Sequence, residues 1–313
     1  MAYDVIIIGA GPAAFSAATF LARASVSVLV IGEEEKSGLV DASHVQNYPG
    51  FPQGIAGPLL LDQMIEQAKK QGAAFVHGEV THAEEIAGSV EQGARSDRFL
   101  VRTAERKEYY AHNLLLAHGA FYMKANITGE KEYAGKGVHY CSLCDGPLYR
   151  AKSVVVLGNG NLAAEEALQL SAYAGEVTVV SHSLSFSFSS EYKKALNEKK
   201  IPQQIGRVKR IEGSEEGVTA VVLDNDTTVT TDAVFIEIGM ASSPIFAQKL
   251  GLELNGDFVR VDEDMRTSRE GVWAIGLARG GVNQIVKSVG DGGVAAVDII
   301  KKLKGLPQYL DHT

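Results

Sequence analysis

Asp4-Val5-Ile6-Ile7-Ile8-Gly9-Ala10-Gly11-Pro12-Ala13-Ala14 begins as an unbroken apolar run and ends in a glycine-rich turn. Apolar runs of this kind, without alternation, mark strands buried on both faces of a parallel sheet. The turn has the form G-x-G-x-x-A and leads into the helical pattern of residues 15–23, so strand, turn and helix stand in the order of a dinucleotide fingerprint. Gly9 permits the tight turn, Gly11 lets a pyrophosphate approach the backbone, and Ala14 keeps the helix close to the sheet. Amides at the helix start would meet the phosphate charge, which makes Gly9, Gly11, Pro12, Ala13 and Ala14 candidate cofactor-binding residues. After the next strand, residues 26–31, come Gly32 and Glu33-Glu34-Glu35. Glu33 is the candidate for ribose hydroxyls; a solvated charge cluster is the competing reading.

A second unit of the same kind starts at residues 152–157. Gly158-Asn159-Gly160-Asn161-Leu162-Ala163 opens a helix through Glu165-Glu166 to Leu170, and residues 177–180 form the following strand. Gly158, Gly160, Asn161 and Ala163 are candidates for a second nucleotide site. NADPH recognition needs cations near the end of that following strand to grip a phosphate. The chain offers Ser181-His182-Ser183 there, and its lysines arrive only at Lys193-Lys194. A neutral imidazole attracts phosphate much less than a guanidinium fork, so the pattern argues against NADPH. The alternating Ser/Phe run, residues 184–190, reads as a short half-buried strand or as an aromatic surface for another ring or partner.

Between the fingerprints lies Tyr140-Cys141-Ser142-Leu143-Cys144-Asp145-Gly146-Pro147, which holds both of the cysteines in the chain. A C-x-x-C beside a βαβ pattern reads as a redox pair that alternates between dithiol and disulfide. Zinc would need two further ligands, with His139 and His118 as the candidates; an inert apolar pair is the third reading. The residues assign no metal site beyond that alternative. His118-Gly119 follows a buried strand at residues 114–117 and is a candidate cofactor contact.

The remaining chain frames these motifs. Residues 47–52 are turn-rich, 59–71 helical and 74–77 a strand; residues 79–103, with Gly88, Gly93 and Asp97, read as a hairpin or meander. Residues 217–224 and 229–238 read as two strands joined by Asn225-Asp226, and residues 239–244 as the crossing back to the first domain. Residues 250–261 form a strand pattern around Gly256. Residues 271–276 read as a strand whose Trp273 belongs to the core. Residues 280–285, with Gln284 and Ile285, precede a helical segment through residue 300, where helix amides and Gln284 would meet polar flavin atoms. The tail, residues 305–313, is an exposed end or a cover for the cofactor. The expected fold is α/β with two Rossmann-like dinucleotide-binding domains, the second inserted in the first. Its divisions are residues 1–117, 118–240 and 241–313.

With 313 residues, 45% of them apolar, the chain can bury sizeable cores. A formal net charge of −8 gives no footprint for nucleic acid. No apolar run reaches the length of a membrane span, and the first residues lack a charged leader. The expectation is a cytoplasmic protein in which an isolated C-x-x-C is catalytic rather than stapling.

The ordered set GAGPAA, NYPGFP, TGEKEYAGKGVHYCSLCDG, GNGNLAAEEA, MRTS and GVWAIG resembles the bacterial, low-molecular-weight thioredoxin reductase family. The resemblance covers nearly the whole chain. It implies a fold of the flavoprotein disulfide reductase type, FAD in the first domain, an NAD(P)H-binding domain inserted in it, and a homodimer. It further implies that Cys144 faces the flavin, that Cys141 attacks a protein disulfide, and that Asp145 is the acid-base group. Asn47 and Gln284 would neighbour the flavin, with Gly276 and Leu277 beside it. Three departures cluster at the cofactors: Gly32 in place of a common Glu, His118 within Ala117-His118-Gly119, and Leu277 in place of an Asp that binds the ribityl chain. Ser181-His182-Ser183 replaces a His-Arg-Arg segment, as in branches that use no pyridine nucleotide.

The leading expectation is therefore an FAD-dependent thiol-disulfide oxidoreductase acting on a thioredoxin-like protein, with ferredoxin or another non-NADPH donor. The alternatives are a small-molecule dithiol oxidase using oxygen, a conventional NADPH-dependent thioredoxin reductase, and a flavin-binding redox switch without catalysis. A second flavin nucleotide is a further candidate for the second fingerprint.

Overall fold

Along Ala2–Ile8 the buried side chains divide between two cores, Val5 and Ile7 facing one and Ile6 and Ile8 the other. That division explains the unbroken apolar run: both faces of the strand are covered. The computed structural model describes residues 2–86, 98–242 and 245–307. The chain forms two compact units, Met1–Phe121 with Ser242–Thr313, and Tyr122–Ala241. Residues 118–121 thus stay with the first unit.

In the first unit, Ala74–His77, Val28–Gly32, Ala2–Ile8 and Glu108–Leu116 lie side by side in parallel. Phe99–Thr103 and Val80–Glu85 continue the sheet antiparallel, and Val272–Ala274 pairs in parallel with the end of Glu108–Leu116. The latter pairing brings the two separate chain segments into one sheet. Gly88, Gly93 and Asp97 of the expected hairpin lie outside the described residues, as does the tail from residue 308. Trp273 is buried, its indole N–H donating to Asp298. Helix Pro12–Arg23 packs on helix Ile285–Lys304, with the Ser16 hydroxyl donating to the Val289 carbonyl.

In the second unit, Gln203–Gln204, Glu176–Val180, Ser153–Leu157, Ala233–Ile236 and Val138–His139 form a parallel sheet. A separate antiparallel sheet consists of Val208–Ser214, Gly217–Leu223 and Thr228–Thr230. Two sequence expectations are corrected here. Residues 229–238 are not one strand: the Thr231 hydroxyl bonds to the carbonyls of Ser153 and Ala233, ending one sheet's strand before the other's begins. Residues 184–190 contain no strand. The backbone N–H groups of Ser187 and Ser189 bond to Asn159 O and Asn161 Oδ1 of the second fingerprint instead of to a neighbouring strand. Phe186 and Phe188 stack on each other and on that unit's core.

Candidate functional site

The first fingerprint holds its shape by close approach. Gly9 has φ +119°, and a Cβ there would lie 2.3 Å from the Ala117 carbonyl oxygen. Gly32 is also tightly packed, because a Cβ would come within 2.6 Å of Ala10 N, which leaves no room for a side chain on this backbone. Gly11 caps helix Pro12–Arg23 without any side-chain cap, and Pro12 occupies the first turn. Ala13 and Ala14 are buried beneath that turn. A helix N-terminus of this form leaves amides and positive dipole directed at a ligand. The Glu33 carboxylate is ion-paired with Lys36.

Several distant residues meet in the same unit. The Asn47 side-chain amide donates to Gln284 Oε1 at 2.9 Å, joining two residues 237 positions apart. Gln284 caps helix Ile285–Lys304, with Ile285 as its first residue. Gly276, at φ +62°, sits 3.1 Å from Ala13 Cβ if given a Cβ of its own. Its N–H donates to Asp291, a buried carboxylate that also binds Arg279 and Lys287. Burial opposes the charge on Asp291, but the two cations hold its pKa below the ordinary carboxylate range. Leu277 is partly buried beside it. Asp291 was not singled out in the sequence, although Lys287 four residues before it on the same helix is the pattern of an ion pair.

His118 supplies a direct test of cofactor fit. Its Nδ1 lies 3.0 Å from the Gly119 carbonyl, while its buried Nε2 has no partner among the described residues. Burial pushes the imidazole down to about 4, so it is neutral, with its proton on Nδ1 and a lone pair on Nε2. A buried acceptor with no partner among the described residues is open to a donor from a ligand. Together with the open helix terminus and the Gly9 turn, it fits a dinucleotide with hydroxyl and N–H donors, as in FAD.

In the second unit the cysteines are joined as a disulfide, with Cα atoms 5.3 Å apart. Cys141 caps the short helix Ser142–Asp145, its sulfur accepting from Cys144 N at 3.2 Å. Cys144 is exposed and Cys141 half-buried. The Glu166 carboxylate accepts from Ser142 N at 2.9 Å, and the Ser142 hydroxyl donates to Gln169, so the second-fingerprint helix fixes the turn between the sulfurs. Asp145 Oδ2 lies 3.1 Å from His139 Nδ1, and His139 Nε2 lies 2.7 Å from the Tyr149 hydroxyl. Both imidazole nitrogens of His139 and both sulfurs are thus engaged with other partners.

Gly158 of the second fingerprint has no space for a Cβ, which would lie 2.2 Å from the Glu237 carbonyl, whereas Gly160 faces open space. Helix Asn161–Leu170 starts without a side-chain cap, and Ala163 is buried under it. The Asn161 side chain and the Asn159 carbonyl are occupied by the loop through Ser187 and Ser189. His182, at the end of strand Glu176–Val180, accepts from Val208 N at 3.1 Å, and the Ser181 hydroxyl accepts from Gly206 N. These bonds draw in Arg207, which is exposed and acts electrostatically on His182. Spacing along the chain does not reveal this cation, since it lies 25 residues beyond His182 and only the sheet brings it near.

Residues 3–292 match the family model described as pyridine nucleotide-disulphide oxidoreductase. Thioredoxin reductase of Bacillus subtilis (strain 168) is 35% identical, with 98% of this chain and 97% of that protein aligned. Thioredoxin reductase of Listeria monocytogenes is 32% identical over 99% of this chain and 96% of that one. The crystal structure of thioredoxin reductase from Streptococcus pyogenes MGAS5005 superposes with a TM-score of 0.88 at 31% identity, covering 97% of this chain and 99% of that chain. Membership of this family implies FAD binding. The chain belongs to the pyridine nucleotide-disulphide oxidoreductase family, in its bacterial low-molecular-weight thioredoxin reductase branch, and is an enzyme with Cys141 and Cys144 as its redox pair.

Proposed function

We propose that the protein is a flavin-linked reductase that delivers electrons through Cys141 and Cys144 to the disulfide of a thioredoxin-type protein. The observation that carries this reading is the Cys141–Cys144 disulfide with Asp145 at the end of its helix, in a chain aligned over its length with thioredoxin reductases. FAD, when bound by the first unit, supplies the two-electron chemistry that opens the disulfide. Gly9, Gly11, Pro12, Ala13, Ala14, Glu33, Asn47, His118, Gly119, Gly276, Leu277, Gln284 and Ile285 are the residues we assign to it. The chain's own chemistry is thiol-disulfide exchange. Asp145 takes the Cys141 proton; the thiolate attacks one sulfur of the partner disulfide, and the leaving sulfur recovers the proton from Asp145. Cys144 then loses its proton to Asp145 and attacks Cys141 Sγ. This restores the intramolecular disulfide and releases the second partner sulfur as a thiol.

For the electron donor, the family match and the relatives favour a reduced pyridine nucleotide over the ferredoxin-type donor that Ser181-His182-Ser183 suggests. Gly158, Gly160, Asn161 and Ala163 would hold it, and Arg207 is the cation in reach of the strand end. A second reading, in which electrons run from a small dithiol to oxygen or arrive from a donor other than a pyridine nucleotide, is favoured by the loop bonded across Asn159 and Asn161. A second flavin nucleotide at this fingerprint belongs to that reading. The protein as purified should show saturable anaerobic bleaching of its flavin by NADPH or NADH. It should also reduce thioredoxin, and the Cys141→Ser and Cys144→Ser variants should lose this activity by at least about 100-fold. Bleaching by dithiols or reduced ferredoxin alone would establish the second reading. Thioredoxin reduction undiminished in both variants would overturn the role of the pair.

A further inference from the structure

His139 is a buried titratable side chain two residues before Cys141, and thiol-disulfide exchange as written above does not use it. It stands on the short strand Val138–His139, opposite Phe235 in the neighbouring strand, and its ring stacks on that phenylalanine with centroids 5.3 Å apart. Two residues later the chain turns at Cys141. Helix Ser142–Asp145 then brings Asp145 Oδ2 to 3.1 Å from Nδ1, and the 3-10 turn Gly146–Tyr149 brings the Tyr149 hydroxyl to 2.7 Å from Nε2.

We propose that Tyr149 and His139 are positioning residues that hold and replenish the proton Asp145 exchanges with the cysteine sulfurs. The proposal rests on the thiol-disulfide reading given above. The direction of the bonds follows from the chemistry of the three groups. Burial first, then the charges of Asp145 and Asp232, push the Tyr149 phenol up to about 12, so it stays protonated and donates to Nε2. Beside a carboxylate, a neutral His139 therefore carries its own proton on Nδ1, directed at Asp145. With one more proton the ring is protonated at Nε2, which donates to the Tyr149 oxygen as that hydroxyl turns, and the bond between Asp145 and Nδ1 holds the other proton on either partner, as carboxylic acid with neutral imidazole or carboxylate with imidazolium. A carboxylate without the imidazole has no such second holder.

The other charged groups facing the ring system do not remove this function. Lys152 lies 5.6 Å from the centre of the Tyr149 ring, and Asp232 precedes strand Ala233–Ile236. Tyr140, next in the chain, is bound to Glu130 and is turned to a different partner. In the exchange itself no extra reactant is needed. The proton that leaves Cys141 or Cys144 returns to the partner sulfur through Asp145, with His139 as the second holder.

The test uses the full-length protein reduced by excess dithiothreitol, freed of it anaerobically, and mixed in single turnover with two disulfides. Hydroxyethyl disulfide releases a basic thiolate that needs a proton; 4,4'-dithiodipyridine releases a group that does not. With hydroxyethyl disulfide, the His139→Asn variant should be slowed about 10-fold at pH 7.5. With dithiodipyridine it should match the wild type. Tyr149→Phe, which spares the apolar ring, should show the same pattern at about 3-fold and covers the case in which His139→Asn does not fold. Equal slowing with both disulfides, or none with either, in the folded variants would overturn the proposal while leaving the exchange reading intact. A wild type that reacts with neither disulfide would overturn both.

Discussion

Glu237 lies at the end of strand Ala233–Ile236, buried, and burial with the neighbouring charges of Glu166 and Glu165 raises its carboxyl to about 8. The unfolded chain would release that proton near 4.5, the ordinary glutamate value. The folded state binds it more tightly, so stability is complete below about pH 4.5 and is lost as pH rises through 8. Glu237→Gln should therefore raise the urea midpoint at pH 8 and flatten its decline between pH 5 and 8. The difference should be on the order of 2–4 kcal/mol; equal pH slopes for variant and wild type would refute it. At this scale the sequence was legible where a residue's role is local. Gly9, Gly11 and the C-x-x-C pair follow from spacing alone, because the backbone turn that needs them is formed by their own neighbours. Glu166 bonding Ser142, Arg207 reaching the end of strand Glu176–Val180, and Asp291 beneath Gly276 depend on segments brought together by the sheet, and no spacing announces them.

Among the elements, the two fingerprints were recognisable because a strand, a glycine turn and a helix are consecutive in the chain. The Ser/Phe run was not, since its period of two mimics a strand, while the bonds that decide its conformation go to Asn159 and Asn161. Helix Ile285–Lys304 shows how contact overrides propensity. Glycine inside a helix ordinarily costs about 1 kcal/mol against alanine. At Gly293 a Cβ would meet only the edge of Phe20 at 3.7 Å, and Gly293→Ala should stabilise by roughly 0.5–1 kcal/mol. At Gly292 a Cβ would lie 2.6 Å from the Ala13 carbonyl and 2.9 Å from Ser16 Cβ, forcing the fingerprint helix away. Gly292→Ala should destabilise by about 1–3 kcal/mol and weaken retention of the flavin. Thermal unfolding of the pair checks both signs, and like signs would show that the helix contact is not the controlling term.

For the molecule as a whole, the second unit is one continuous segment with its own two cores. The first is assembled from both chain ends. A fragment of residues 122–241 should unfold in a single cooperative urea transition, whereas residues 1–121 alone should not, since they lack Val272–Ala274 and helix Ile285–Lys304. A non-cooperative 122–241 fragment would contradict the independence of its core. The sequence conveyed the insertion because the second fingerprint interrupts the first domain's pattern. The pairing of Val272–Ala274 with Glu108–Leu116 gives that interruption a consequence in time. On the ribosome the inserted unit can close as soon as residue 241 emerges, while the first unit gains strand Val272–Ala274 and then helix Ile285–Lys304 only once residue 304 has followed. At about 5–20 residues per second that delay lasts roughly 3–12 s. Through it the nascent chain carries a finished redox pair and an unfinished cofactor fold.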